Sequence, residues 1–466
     1  MLTVTTHQWA EEEFGNCDLG DQRRTRRTVQ LASDVAQNPS AGFPDICESW
    51  TDLKAAYDLF DNDAVTFQNI TAAHREKTCD LPPGRYLVIG DTTDVDFGWH
   101  REIEGTYPTG NGGGNGFLLH SALVVNPQNH ELLGLAGQTI HYRKPQRKQK
   151  NDSQGLRRKR ESQVWGQVID QVGPPPEAVE WVHVFDRGAD NFEVFCHLLQ
   201  QRSQWVIRCT HKTRKIITPA DEKVSLREYL DELDEAGRYE LEVYARDGQA
   251  ARTAQVRVRH GKLWMPTPSH KSPYVKQVAP DPIAMWVIVV EETGAPAGVE
   301  PLHWILYSSL PVDSFEDAWT VIGYYEQRPL IEEWHKALKT GCRLTDRQLK
   351  TSKRLEVMTG LFSVVSVRLV QLKSMAQTDS TRKAQGVVPP LWLELLARVR
   401  KVRSKSQMTI RDFYRELAKL GGFLGRKHDG EPGWITVWRG WEKLNLMVRG
   451  AKAANGFTIK NGRKCR

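Results

Sequence analysis

The chain has no C-x-x-C pair, and its seven cysteines are scattered over 466 residues. An odd, dispersed set argues against a disulfide framework and against a zinc ribbon. The first residues lack the basic and apolar segments of a signal peptide. No apolar run approaches the roughly 20 residues that cross a bilayer, and the best candidate, 361–372, contains Arg368. These absences predict a cytoplasmic protein without a membrane segment.

The chain also has only a small excess of charge of one sign. Lys and Arg number 64 against 57 Asp and Glu, a net charge of +7. This excess is compatible with nucleic-acid binding but too small to establish it. The composition, 39% hydrophobic and 26% charged, is typical of a globular chain and excludes a disordered one. The length favours several domains.

Hydrophobic periodicity divides the chain into three parts. Residues 1–75 have helical spacing, and residues 76–372 begin with short apolar strands and end with a helical pattern from 314. Within this middle part, about 212–302 alternates between polar and apolar residues, which predicts an antiparallel β insertion. A polar stretch at 374–390 is interpreted as a linker to a helical C-terminal part, 373–466.

Two side-chain groups in the terminal parts have open interpretations. The arginines at the start of a predicted helix could contact phosphates or could form a solvated face. The tryptophans near the C-terminus fall at i, i+4 and i+7, so they form one stripe that could be core or a dimer face. These residues are Arg23, Arg24, Arg26 and Arg27 in the first group, and Trp434, Trp438 and Trp441 in the second.

Two loops invite a phosphate-binding interpretation. The glycine-rich segment 105–116 lacks the G-K-[ST] ending and leads into a strand, so it is predicted to be a connection and not a phosphate loop. The stretch 143–160 is strongly basic. It is either a DNA-contacting loop or a solvated one.

Three acidic residues are candidates for catalysis. Asp91 and Asp186 each follow an apolar strand, and Glu332 lies in a predicted helix. Converging carboxylates can hold two Mg²⁺ ions, which take oxygen ligands and activate phosphodiester cleavage. A single aspartate at a strand end is more often a cap or a turn residue, so the hypothesis depends on the set.

The segment around Glu332 supports this interpretation. Pro329 is tolerated at the first helical position, so a helix is expected to begin there. At about 100° per residue, Glu332, Lys336 and Lys339 share one face. This face resembles a metal ligand beside a phosphate-binding surface, although an ordinary amphipathic helix would also show it. The packing face is predicted to contain Ile331, Trp334 and Leu338.

The spacing Tyr325-x-x-Arg328-x-x-x-Glu332-x-x-x-x-x-x-Lys339 matches a Y-(2)-R-(3)-E-(6)-K signature. By this signature, together with Asp91-Thr92-Thr93 and Asp186-Arg187, the chain resembles the insertion-sequence-four family of DDE transposases. Within that family it is most similar to the Tn5-type cut-and-paste transposases. One departure is Pro329, where the family often has tryptophan.

The resemblance implies an α/β fold with an RNase H-like core, a mixed sheet flanked by helices, a β insertion and helical terminal domains. It implies that the three acids bind two Mg²⁺ ions, for which Mn²⁺ could substitute. It also implies a base-stacking role for Trp304. The other expected DNA contacts in this region are Tyr325, Arg328, Lys336, Lys339 and Arg208.

The predicted function is cut-and-paste DNA transposition by a homodimer that binds the terminal inverted repeats of its element and a target DNA. One strand would be hydrolysed, and the freed 3′-OH would attack the opposite strand to give a hairpin. Three alternatives remain: a tyrosine recombinase using Tyr325, a transposase-derived protein that no longer cuts, and an RNase H-like nuclease without strand transfer.

Overall fold

The computed structural model describes residues 6–47, 49–98, 100–109, 114–143, 163–243, 251–278, 282–378, 381–385, 387–402, 407–426 and 429–456. The chain divides into two compact units. The sheet unit lies within Thr78–Gly98 and Tyr107–Glu332. The helical unit lies within Met1–Lys77, Trp99–Thr106 and Glu333–Arg466. The basic stretch 144–160 and residues 244–250 of the predicted β insertion lie outside the described residues.

The sheet unit is built on one twelve-stranded mixed sheet. Its strands are β1 (Gly84–Asp96), β2 (Tyr107–Thr109), β3 (Gly114–Asn126), β4 (Glu131–His141), β5 (Val179–Phe185), β6 (Gln204–Arg208), β7 (Lys215–Ile217), β8 (Lys223–Ser225), β9 (Glu235–Val243), β10 (Arg252–Met265), β11 (Ile283–Thr293) and β12 (His303–Ser308). The hydrogen-bonded order is β2-β3-β1-β5-β6-β12-β11-β10-β7-β8, with β4 beside β3 and β9 beside β10.

The centre of this sheet is parallel. β1 pairs with β5 and β5 with β6 in parallel, whereas β3 and β4 form an antiparallel edge. The central strands are nearly continuous apolar runs, and β3 is buried from Phe117 to Val125. Such runs are typical of strands that are covered on both faces. This mixed sheet with flanking helices confirms the predicted α/β class and is consistent with an RNase H-like core.

The predicted β insertion is present and antiparallel, since β10 pairs with both β9 and β11. It is not a separate sheet. β11 pairs with β12, and β12 pairs with β6, so the insertion extends the central sheet.

Helices cover the sheet and frame its core. They are α7 (Gln163–Val172), α8 (Phe192–Gln200), α9 (Leu226–Asp231), α10 (Pro273–Val278) and α11 (Phe315–Glu326), followed by the start of α12 (Pro329–Lys336). One buried cluster joins Trp165 of α7 and Phe195 of α8 to Tyr307 of β12. The helical pattern predicted from 314 is divided into α11 and α12, and α12 begins at Pro329 as predicted.

The helical unit begins with six short helices, as the sequence predicted. They are α1 (Thr6–Phe14), α2 (Gln22–Gln37), α3 (Phe43–Ile46), α4 (Trp50–Asp61), α5 (Phe67–Ile70) and α6 (Ala72–Cys79). Asp21 caps α2 by accepting from the Arg23 amide, and Ser49 caps α4 by accepting from the Asp52 amide. The six cysteines in the described part of the chain are all free, in agreement with the sequence.

A long central helix, α13 (Ser352–Thr378), crosses residue 372, where the sequence placed a domain boundary. Its residues 374–378 were predicted to be linker but are helical, because Ala376 is buried in a hydrophobic cluster. Contrary to the sequence prediction, the stretch Ser352–Ala376 is long and apolar enough to cross a membrane. Most of its apolar window, 83%, is buried inside the protein, as in the core helix of a globular domain.

Three further helices complete this unit: α14 (Pro390–Val399), α15 (Ile410–Leu420) and α16 (Trp434–Gly456). The tryptophan stripe lies on α16. Trp434 and Trp438 are buried with their rings stacked 5.3 Å apart, and Trp441 packs against Trp392. The stripe therefore belongs to the core of this unit. The exposed apolar side chains of α16 are Ile435 and Leu446.

A π turn, Ala337–Gly341, follows α12 and packs tightly on α16. A Cβ atom added to Gly341 would lie 2.3 Å from the Trp438 ring. We expect Gly341→Ala to lower the thermal midpoint, at a cost of about 1–3 kcal/mol, because a closely packed indole would have to move.

Gly323→Ala is the matched control in differential scanning calorimetry. Gly323 lies within α11, and an added Cβ would meet nothing within 4 Å. This change is expected to be neutral or to stabilise by up to about 1 kcal/mol, since alanine favours a helix. Equal midpoints for the two variants would contradict the packing described here.

Candidate active site

The parallel pairing of β1 with β5 brings two aspartates to the same end of the sheet. Gly90 pairs with Phe185, so Asp91 and Asp186 are the next residues on adjacent strands. Gly90 is required there because a Cβ atom would lie 2.4 Å from the Phe185 ring. Asp186 follows its strand and caps a 3₁₀ turn, accepting from the Gly188 amide at 2.8 Å.

The prediction that Asp91 ends a strand is wrong. β1 continues to Asp96, because β3 pairs with it beyond the point where β5 stops. Asp91 therefore lies within β1, at a point where β5 no longer pairs with that strand.

Glu332 lies on α12, which begins at Pro329 as predicted. The signature spans two helices: Tyr325 is in α11, Arg328 is in the connection and Glu332 is in the first turn of α12. The predicted packing face is confirmed, since Ile331, Trp334 and Leu338 are fully buried. The Glu332 side chain is 48% exposed.

One guanidinium joins the three acids. Arg328 Nη2 lies 3.2 Å from Asp91 Oδ2 and 3.7 Å from Asp186 Oδ2, and Nη1 lies 2.5 Å from Glu332 Oε1. The sequence assigned Arg328 to a DNA phosphate, but here it contacts all three predicted catalytic carboxylates. The Arg328 side chain is only 14% exposed.

Burial and neighbouring charges shift the pKa values of two groups in this cluster, Asp91 and Arg328. Desolvation raises the pKa of Asp91 to about 6, with Asp186 and Glu332 adding to the rise and Arg328 opposing it. Burial alone would lower the pKa of Arg328, but its hydrogen bond to Glu332 and the nearby carboxylates outweigh that effect and raise it. The neighbouring Arg328 guanidinium thus favours the ionised form of Asp91 against the effect of burial.

The donor set fits hard divalent cations, because carboxylate oxygens are the ligands that Mg²⁺ and Mn²⁺ prefer. The side chains are not arranged around a metal as they stand: in the described ranges, no three His, Cys, Asp or Glu groups are spaced to hold one ion. They surround the Arg328 guanidinium instead. The Oδ2 atoms of both aspartates lie within 3.7 Å of the same Nη2 atom.

Three predicted DNA contacts lie close to this cluster. The rings of Trp304 and Tyr325 are 5.9 Å apart, and Arg208 donates to the His303 carbonyl oxygen at 3.3 Å. Burial raises the pKa of the Tyr325 hydroxyl, opposed by the guanidinium groups of Arg208 and Arg328. A buried phenol of raised pKa is a poor nucleophile, which disfavours a tyrosine recombinase.

The two predicted lysines belong to the helical unit. Lys336 is exposed at the end of α12, and Lys339 is half-buried in the π turn. The α-helical spacing that placed Lys339 on the Glu332 face does not apply beyond Lys336, because a π turn follows.

The four N-terminal arginines are not equivalent. Arg24 donates to the Leu19 carbonyl at 2.8 Å, and Arg27 forms an ion pair with Asp52 at 3.0 Å, so both support the local fold. Arg23 pairs with Asp21 but is largely exposed, as is Arg26. The exposed pair remains available to a phosphate backbone.

Sequence reasoning missed two groups that support the aspartates. The Thr92 hydroxyl lies 2.7 Å from His120 Nδ1, while the Thr92 amide donates to Asp91. Burial lowers the pKa of His120 to about 3, so its ring is neutral. Asp190 is buried and accepts from the Thr210 amide at 2.7 Å, which holds the loop after Asp186. Thr92 and Asp190 are close in sequence to the two aspartates, which was the available signal, whereas His120 is brought in by the pairing of β1 with β3.

Comparison with protein-family models gives two matches. Residues 6–65 match the model described as "Transposase DNA-binding", and residues 364–461 match "Transposase Tn5 dimerisation domain". The two matches support a Tn5-like transposase. They flank the central region that carries the three acids, in agreement with the predicted order.

For a Tn5-like transposase, these terminal regions support DNA binding, a homodimer and a role in DNA transposition. The first match contains the exposed arginines of α2, and the second contains the tryptophan stripe of α16. Transposase domains of this kind imply an enzyme that cleaves DNA and transfers strands.

The raised pKa of Asp91 predicts a pH-dependent stability in EDTA. The carboxyl titrates near pH 6 when folded and near 3.9 when unfolded. Its stabilising contribution is complete below pH 3.9 and is lost as the pH rises through 6. Asp91→Asn should therefore become progressively more stable than the natural chain between pH 5 and 7.5, by about 1–3 kcal/mol.

Thermal unfolding across this pH range measures the effect. Asp94→Asn, on the same strand but exposed, controls for the loss of one carboxylate. If the difference in stability between Asp91→Asn and the natural chain stays the same across this pH range, the pKa of Asp91 is not raised.

Proposed function

We propose that the chain catalyses cut-and-paste transposition through a DDE active site formed by Asp91, Asp186 and Glu332. The observation that supports this is the contact of one guanidinium, Arg328, with all three carboxylates. The three acids are far apart in the sequence, on β1, just after β5 and on α12, and the fold brings their carboxylates to this one cation. Together with the two transposase matches, this favours the insertion-sequence-four DDE transposases over a plain nuclease.

In this proposal the three acids hold two Mg²⁺ ions, or Mn²⁺ in their place. Divalent cations there would activate the attacking oxygen and stabilise the leaving oxygen in phosphodiester cleavage. The chain's own contribution is to hold the carboxylates rigidly: the Thr92 amide fixes Asp91, and the Gly188 amide fixes Asp186. Both acids can therefore accept cations without a change in the backbone.

Arg328 exchanges partners in this proposal. With cations on the carboxylates, its guanidinium is released to bind a DNA phosphate, as the resemblance implies. Tyr325, Arg208, Lys336 and Lys339 would bind neighbouring phosphates. The Trp304 ring would stack on a base displaced from the duplex, which is worth about 1–3 kcal/mol and favours the sharp bend of a hairpin.

The terminal regions would supply DNA-end binding and dimerisation, and strand transfer would follow. The N-terminal domain would bind the terminal inverted repeats, with Arg23 and Arg26 on phosphates, and the C-terminal domain would pair two protomers. The freed 3′-OH would attack the opposite strand to form a hairpin, which is reopened before insertion into target DNA. We place this activity in the cytoplasm, on nucleoid DNA.

Strand cleavage on element-end DNA tests the proposal. The protein is incubated with its own terminal repeats and Mg²⁺, beside Asp186→Asn and the exposed control Asp94→Asn. We expect cuts at the element boundary and hairpin products, with at least a hundredfold loss in Asp186→Asn and little change in Asp94→Asn.

Other outcomes distinguish the alternatives. Tight end binding without cleavage would indicate a derivative that no longer cuts. Cleavage along the whole DNA would indicate a nuclease without strand transfer, and a covalent phosphotyrosyl product would indicate a tyrosine recombinase.

Arg328→Met tests the exchange of cations. Without the guanidinium, three neighbouring carboxylates repel one another, so we expect a loss of about 1–3 kcal/mol of stability at pH 7.5 in EDTA. Mg²⁺ should restore the thermal midpoint, with a larger rise than in the natural chain. Arg187→Met, an exposed arginine beside Asp186, is the control. Equal Mg²⁺ responses in both variants would argue against a shared cation site.

A further inference from the structure

The turn that follows Asp186 is connected by a buried aspartate to a distant part of the chain. Asp190 ends the 3₁₀ turn Arg187–Ala189, and its side chain is fully buried. Its Oδ2 atom accepts from the Thr210 amide at 2.7 Å and from the His211 amide at 3.3 Å. Both donors follow β6, so Asp190 joins the turn after β5 to the segment that leads into the β insertion.

Arg214, further along the same segment, strengthens this connection. Its Nη1 atom forms an ion pair with Asp190 Oδ1, and its Nη2 atom donates to the Asp190 carbonyl oxygen at 3.1 Å. The Arg214 side chain is 20% exposed. One planar guanidinium therefore holds both the side chain and the backbone at the end of the turn, a two-point contact that lysine does not reproduce.

The start of the turn is held as well. Thr210 Oγ1 donates to the Arg187 carbonyl oxygen at 2.9 Å. The segment that carries Thr210 and Arg214 is itself anchored by α9, because the Leu226 amide donates to the Arg214 carbonyl oxygen at 2.8 Å. Leu226 is fully buried in the hydrophobic core of the sheet unit. The turn after Asp186 is thus attached to the core through Arg214.

This turn sets the direction of the Asp186 carboxylate. Asp186 Oδ1 accepts from the Gly188 amide at 2.8 Å, so the carboxylate follows any movement of that amide. The other oxygen, Oδ2, lies 3.7 Å from the Arg328 guanidinium that also contacts Asp91. A displaced turn would therefore change the position of Asp186 relative to the other acids.

We propose that Arg214, acting through Asp190, is a positioning residue for Asp186, so that the first residues of the β insertion help to set the metal affinity of the active site. The inference rests on the proposed function, because it requires Asp186 to bind a divalent cation. Groups that orient a metal ligand without touching the metal commonly change metal affinity by about 10–100-fold when they are removed.

Hydrogen–deuterium exchange in EDTA tests the positioning without metal or DNA. Amides of residues 187–191 should exchange about tenfold or more faster in Arg214→Met, because a charge-assisted hydrogen bond is lost and the turn opens more often. Arg214→Lys should lie between this variant and the natural chain, since lysine keeps the charge but not the two-point contact. Lys215→Met is the control, because it removes an exposed cation from the next residue.

Calorimetric titration with Mg²⁺ tests the effect on the site, at a temperature at which every variant is folded. The dissociation constant should rise by about 10–100-fold in Arg214→Met and stay unchanged in Lys215→Met. A general loss of stability would lower the thermal midpoint in EDTA but leave the affinity of the folded protein for Mg²⁺ unchanged. Asp186→Asn shows which part of the binding belongs to this site.

Thr210→Val provides a milder variant that decides the question if Arg214→Met does not fold. Thr210 is exposed, and the change removes its hydroxyl contact with the Arg187 carbonyl while it keeps the shape of the side chain. Exchange of the turn should become faster and Mg²⁺ binding weaker, each by about two- to tenfold, the range expected for one neutral hydrogen bond.

The outcomes separate this inference from the proposed function. Faster exchange together with weaker Mg²⁺ binding in Arg214→Met, and neither in Lys215→Met, supports it. Unchanged exchange of the turn, or unchanged Mg²⁺ affinity, overturns it and leaves the proposed function in place. A natural chain that does not bind Mg²⁺, or that binds it as Asp186→Asn does, would overturn the proposed metal site and this inference together.

Discussion

The parallel pairing of Gly90 with Phe185 determines where the two candidate catalytic aspartates meet. Two aspartates follow these residues on adjacent strands, so they meet without any long side chain or flexible loop to position them. The close approach of the two strands leaves no room for a side chain at Gly90. Beyond this pair, β1 continues beside β3, and a 3₁₀ turn follows β5. Glu332 on α12 is the third acid that approaches the two aspartates.

Electrostatics then links these elements. A buried carboxyl whose pKa is raised to about 6 needs a cation, and in the protein alone Arg328 supplies it. The same guanidinium carries a phosphate-binding role in the family resemblance. The proposed exchange of partners reconciles these two roles, since divalent cations on the carboxylates would free the guanidinium for a phosphate.

The sequence predicted the parts of the site that depend on spacing and pattern. The apolar strands before Asp91 and Asp186, the helix start at Pro329 and the buried face with Trp334 are confirmed. It could not predict that β1 continues past Asp91, because that depends on pairing with a distant strand. It also missed the π turn at Lys339 and the inward position of Arg328, since both depend on tertiary packing and charge. The assignment of the site residues to metal and DNA stays a prediction.

The continuity of the sheet has a consequence for how such chains can diverge. The β insertion leaves the core at β6 and returns at β12, and these strands are hydrogen-bonded neighbours, with Arg208 beside Leu306. Its entry and exit points are thus fixed side by side, whatever lies between them. The strands of the insertion are in turn tied to the helix that precedes Glu332, because Tyr239 of β9 packs against Trp319 of α11. Residues gained or lost at the outer turns of the insertion would therefore leave both the pairing at its base and its packing on α11 in place.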